Sequence, residues 1–69
     1  MDWIPVTSSN LSRIRYDEDT YTLEIEFHGG RVYQYFDVSL QVFEGLRDTD
    51  SHGKYFNAQI KGHYRYARV

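Results

Sequence analysis

Apolar and polar residues alternate through much of the first half of the chain. In "TYTLEIEF", Tyr21, Leu23, Ile25 and Phe27 alternate with Thr20, Thr22, Glu24 and Glu26. This is the two-residue period of a half-buried strand. Upstream, Ile14 and Tyr16 alternate with Arg13 and Arg15, and the acidic "DEDT" between the two runs suits a four-residue loop. A hairpin with that loop pairs Tyr16 with Tyr21 and Ile14 with Leu23, and points all four inward. "HGG" supplies the next turn and "RVYQYFDV" the third strand.

The turn at residues 28–30 decides where Tyr33 and Tyr35 point, because a one-residue slip exchanges the two faces of a strand. A three-residue loop, His28 to Gly30, pairs Phe27 with Arg31 and sets Ile25 opposite Tyr33 and Leu23 opposite Tyr35. A two-residue Gly29–Gly30 turn instead sets Glu26 opposite Tyr33 and Glu24 opposite Tyr35. Glycine tolerates positive φ in either turn. A buried amide needs hydrogen-bond partners, which favours Gln34 outward and the tyrosines inward. Both registers weaken the tyrosines as a base-stacking platform. The first turns them into the core, and the second leaves them beside two carboxylates that would repel phosphates.

From residue 38 the period changes. Val38, Val42, Phe43 and Leu46 fall on one helical face, and Asp37 or Ser39 can cap its start. "SHGKYFNAQIKG" reads as a second, short helix, with Ser51 as its cap, Phe56 and Ile60 one turn apart, and Gly62 ending it in the left-handed conformation. "HYRYARV" alternates again as a last strand. The pattern therefore predicts one small α+β domain over residues 1–69: a three-stranded antiparallel meander, two short helices on one face and a C-terminal strand.

At 69 residues there is no length for a second domain, and a fold of this size buries only about 60% of its extended-chain surface. There is no cysteine, which removes disulfides, thiolate metal sites and a cysteine nucleophile, and suits a cytoplasmic location. No run is long and apolar enough to span a membrane, and the N-terminus lacks a secretory pattern. The formal net charge is −2, unlike a globally basic nucleic-acid binder. The charge is unevenly placed, however. Residues 16–30 carry five acids and no lysine or arginine, whereas residues 51–69 carry Lys54, Lys61, Arg65 and Arg68 and no acid.

Enzymatic constellations are missing. His28, His52 and His63 lack metal-ligand spacing, so no metal or cofactor is expected. "VTSSN" offers hydroxyls without a neighbouring histidine, which suits turns and caps better than catalysis. Glu24 and Glu26 read as a solvated strand face, and Gly29–Gly30 as a hairpin turn rather than a phosphate loop.

Three segments, "VTSSNLSRIRYD", "TLEIEFHGGRVYQYFDV" and "SHGKYFNAQIKGHYRY", together resemble the KTSC domain family from about residue 6 onward. That family is a short domain named for its occurrence at the C-terminus of some lysyl-tRNA synthetases, and it also occurs as stand-alone bacterial and phage proteins. Its central Tyr-x-Tyr matches Tyr33 and Tyr35. Its later pattern matches Ser51, Gly53, Tyr55, Phe56 and Asn57, residues read here as structural. Members usually carry proline where this chain has Ser39; proline suits a first helical turn and serine its cap. The resemblance implies little about function beyond RNA binding, suggested by the synthetase association.

Two functions follow as expectations, neither catalytic. The first is RNA or tRNA binding through the basic C-terminal third, using Lys54, Asn57, Lys61, Arg65, Tyr66 and Arg68. On a helix from about residue 52, Lys54, Asn57 and Lys61 would lie near one edge. Tyr64 and Tyr66 would share a strand face able to stack a base. The second is docking on a protein partner, motivated by an aromatic content (Trp3, seven tyrosines, four phenylalanines) larger than so small a core needs.

Overall fold

The computed structural model describes residues 2–69. Five strands, β1 (Ile4–Pro5), β2 (Leu11–Asp17), β3 (Thr22–Phe27), β4 (Val32–Tyr35) and β5 (Tyr66–Arg68), form one antiparallel sheet in sequence order. Between β4 and β5 lie helix α1 (Leu40–Asp48), helix α2 (His52–Tyr55) and a π-helical segment, Phe56–Ile60, that continues α2. The α+β class, the helices and the C-terminal strand hold, but the sheet has five strands where the pattern predicted a three-stranded meander and a last strand. The additional edge strand, β1, is only two residues long and contains Pro5, so it carries no alternation to read.

The glycine turn takes the three-residue form. Phe27 N–H donates to Arg31 O (2.8 Å) and Gly30 N–H to Phe27 O (3.0 Å). Gly29 and Gly30 sit at φ 97° and 89°, a region that a side chain rarely enters. Ile25 therefore faces Tyr33 and Leu23 faces Tyr35. Gln34 points to the other face, where its amide donates to Glu24 (3.2 Å).

The first hairpin differs from expectation by two residues. Tyr16 pairs with Leu23 and Ile14 with Ile25. The turn runs from Glu18 to Tyr21, with Tyr21 at φ 54° and its carbonyl accepting from Val38 N–H (2.9 Å). A two-residue shift preserves the faces of Ile14, Tyr16 and Leu23, which are fully buried, but it releases Tyr21, which is 57% exposed. A bulge between Leu11 and Arg13 lets Leu11 face inward despite its opposite parity to Ile14.

The core lies between one sheet face and the helices. Leu11, Ile14, Tyr16, Leu23 and Ile25 meet Val38, Phe43, Leu46, Phe56 and Ile60. Ser39 caps α1 by accepting from Val42 N–H (3.3 Å), whereas Ser51 occupies the N-cap position of α2 without a side-chain bond. Gly62 adopts φ 81° just past the π segment, ending it in the left-handed conformation as expected. On the outer sheet face Arg13 pairs with Glu26 (2.9 Å) and Arg15 with Glu24, and both guanidinium groups lie over the Trp3 ring at 4.6 and 4.3 Å.

Within the core, the Tyr16 ring stacks on Phe43 at 4.9 Å and its hydroxyl donates to Val38 O at 2.5 Å. Tyr16→Phe keeps the stack but strands a buried carbonyl. It is expected to cost about 1–3 kcal/mol of stability, read as a lowered urea midpoint at unchanged m-value.

Candidate functional site

The helices leave the β4–β5 end of the inner sheet face uncovered, and a cleft of about 550 Å³ opens there. Its floor comes from the sheet. Tyr33 and Tyr35 project from β4 and Tyr66 from β5, directly opposite Tyr35. The rings form a connected cluster, with Tyr66 at 5.8 Å from both Tyr33 and Tyr35, and Phe27 at 5.7 Å from Tyr33. The far wall is the π segment. Phe56 packs edge-on against Phe27 (5.4 Å) and Tyr35 (5.7 Å), and Asn57 turns into the cleft. Arg31 and Lys61 line the same cleft, with no carboxylate among its lining residues.

Both tyrosines of the Tyr-x-Tyr thus take the inward register, yet the inner face is not wholly core. Tyr35 is 6% exposed and Tyr33 half-buried, and both still line the cleft. Five strands make a sheet wider than two short helical segments can cover. Tyr66 stays 63% exposed at the edge of the cluster, a ring face open to a ligand.

The π segment explains the position of Asn57. Lys61 N–H donates to Phe56 O (2.9 Å), five residues back. This widened turn breaks the helical spacing that would align Lys54, Asn57 and Lys61 along one edge. Lys61 lines the aromatic cleft, Lys54 lines a second cleft of about 480 Å³, and Asn57 lines both. Such π turns occur frequently at functional sites.

The remaining predicted residues diverge. Arg65 leaves the cluster, donating to Asp37 at 2.7 Å and lying over the Phe36 ring at 5.7 Å. Arg68 pairs with Tyr33 in the β4–β5 ladder and so projects on the same sheet face, without lining the cleft. Tyr64 precedes β5 and packs partly buried against the core, so it shares no strand face with Tyr66. Arg31 and Asn10, which also line the cleft, lie outside the C-terminal third, and nothing in their local sequence marks them.

The second cleft joins two stretches far apart in the chain. Residues 7–10, from "VTSSN", face residues 50–54 and Asn57 across it. Gly53 makes the approach close, since a Cβ there would meet Asn10 Oδ1 at 3.0 Å and Ser8 Oγ at 3.5 Å. Ser8 Oγ donates to Asn10 Oδ1 (2.8 Å) and accepts from Leu11 N–H (3.2 Å), which fixes the Asn10 amide. His52 lies beside this loop with its Nε2 3.4 Å from Arg47 O. Serine hydroxyls and a histidine are therefore neighbours in space, although not in sequence. Among the described residues, no group of three or more His, Cys, Asp and Glu could hold a metal ion, and no helix is long and apolar enough to cross a membrane.

The KTSC domain family model matches residues 7–64. The chain belongs to the KTSC domain family. It is 43% identical over 61 residues to a lysine–tRNA ligase of Trichormus variabilis, covering 88% of this chain but only 11% of that ligase. An uncharacterised protein of Stutzerimonas stutzeri is 39% identical over 70 residues, covering 100% of this chain and 99% of that protein. Among solved structures, the crystal structure of a KTSC domain protein from Yersinia pestis superposes with a TM-score of 0.92 at 33% identity, covering 99% of this chain and 96% of that one. The KTSC segments quoted above thus converge in space. Ser51 and Gly53 line the second cleft, Tyr33, Tyr35 and Phe56 the first, and Asn57 both. Tyr55 does a structural task, its hydroxyl donating to Val42 O in α1 (3.1 Å).

Burial pushes the Tyr35 hydroxyl from 10.0 up to about 12, with smaller contributions from Tyr33 and Tyr66. Burial raises that of Tyr16 as well. Unfolded tyrosines ionise near pH 10, so the folded chain holds more protons than the unfolded one between pH 10 and about 12. The contribution of these tyrosines to stability is therefore fully present below pH 10 and is lost as pH rises through that window. Tyr35→Phe is expected to remove part of this decline, measured by urea unfolding on either side of pH 10.

Proposed function

We propose that this KTSC domain is a non-catalytic RNA-binding module whose contact surface is the aromatic cleft. One observation carries this reading: three tyrosine rings share a cleft with two cations and no carboxylate. Aromatic faces stack unpaired bases whatever their sequence, and Lys and Arg beside them neutralise the backbone. Tyr66, Lys61 and Asn57 from the C-terminal third are joined by Tyr33 and Arg31, with the buried Tyr35 supporting the two rings from below. Arg68 and Lys54 flank them as backbone contacts, while Arg65 serves the Asp37 pair. The similarity to lysine–tRNA ligases makes tRNA the first RNA to try.

The protein-docking alternative draws less from the geometry. It calls for an apolar patch around Trp3, Tyr55 or Tyr66. Trp3 is covered by Arg13 and Arg15, and Tyr55 is partly buried. Among the described residues, the exposed large hydrophobic ones are Tyr21, Tyr66 and Val69, and Tyr66 belongs to the aromatic cleft, whose lining also carries Arg31 and Lys61.

Titration with tRNA or single-stranded RNA at low salt is expected to shift the NMR signals of Arg31, Tyr33, Asn57, Lys61 and Tyr66. Tyr66→Ala should cost about 1–3 kcal/mol of binding. Lys61→Ala should lower the slope of log affinity against log salt by about 0.7. Unchanged spectra with both RNAs would sink the reading.

A further inference from the structure

The second cleft has a chemistry that the aromatic cleft lacks. Its lining includes the hydroxyl residues Thr7, Ser8, Ser9 and Ser51, together with Asp50, His52, Lys54 and Asn57. Among the described residues, the ion pairs are Arg13–Glu26, Arg15–Glu24, Arg47–Asp48 and Arg65–Asp37, so Asp50 and Lys54 each line the cleft without an ion-pair partner. One carboxylate and one ammonium among hydroxyls do not make a phosphate pocket. They suit the hydroxyls of a sugar rather than a phosphate, and a carboxylate is the side chain that accepts hydrogen bonds from ribose hydroxyls in nucleotide sites.

The two clefts are adjacent, because Asn10 and Asn57 line both. The Asn10 Oδ1 already accepts from Ser8, which leaves its NH₂ group as a donor at the junction. Asn57 is exposed, with its amide free to donate and accept. The shared residues make this junction the route by which a strand held in the aromatic cleft would reach the second one.

We propose that the second cleft binds the ribose of the nucleotide next to the stacked one, with Asp50 accepting a hydrogen bond from its 2′-hydroxyl, so that the domain selects RNA over DNA. This rests on the reading of the aromatic cleft as an RNA site. The 2′-hydroxyl is the group by which a protein distinguishes the two polymers at a given position. A hydrogen bond to a charged acceptor corresponds to roughly a tenfold or greater preference.

The test compares randomised single-stranded ribohexamers with deoxyhexamers by fluorescence anisotropy, using wild type, Asp50→Asn and Ser51→Ala. The expected result is about tenfold tighter binding of the ribohexamer, with Asp50→Asn, whose amide oxygen still accepts but without charge, closing about half of the gap in log affinity and Ser51→Ala a smaller part of it. Asp50 is exposed, so its amide variant is expected to fold, which circular dichroism checks. Equal affinity for both hexamers would overturn the ribose assignment and leave the aromatic cleft standing. A ribose preference untouched by Asp50→Asn would overturn the placement in the second cleft. Binding of neither hexamer would overturn both readings.

Discussion

The hydrogen bond from Phe27 N–H to Arg31 O fixes the register on which the rest of the molecule depends. It closes a three-residue turn and commits Tyr33 and Tyr35 to the same face as Leu23 and Ile25. A slip of one residue would send both rings among the glutamates and bring Gln34 inside. The register then passes outward through the ladder. Tyr66 is set opposite Tyr35, and the aromatic floor grows by one ring. Arg31, the residue that closes the turn, is also a cation of the cleft. The same bond thus shapes the core and places a cation at the cleft.

Asn57 is the second pivot. It stands in a π turn bounded by two buried anchors, Phe56 and Ile60, that hold the segment against the core. Because both anchors are buried, the widened turn cannot relax without losing core contacts. Gly53 allows the loop at residues 7–10 to close from the other side. The bulge in β2 follows directly, and it lets Leu11 join the core beside Asn10. Irregularities in two elements, a π turn and a bulge, therefore set the residues shared by the two clefts.

Much of the fold was legible because it follows from periods. The alternation over 20–27 located β3, the 38–46 face located α1, and the need to satisfy Gln34 favoured the correct register. Tyr21 misled because a bulky residue at positive φ is uncommon, so the turn was placed one position early. Strand β1 was invisible because two residues carry no period. The site was less legible. Tyr66, Lys61 and Asn57 were marked by the acid-free tail, but Arg31 and Asn10 reach the cleft only through the three-dimensional fold. Lys54 and Lys61 were expected along one edge on a spacing that a π turn does not obey.

The cover of arginines over Trp3 has an optical consequence. Trp3 is the chain's single tryptophan, and it sits on the outer sheet face under two guanidinium groups. The tyrosine cluster lies on the inner face. The two chromophores report on opposite sides of one sheet. Indole emission follows the loosening of the N-terminal edge, while three of the seven phenol rings line the cleft on the other side. The strand alternation that separates salt bridges from core thus also places the one indole and the cleft phenols on opposite sides of the sheet.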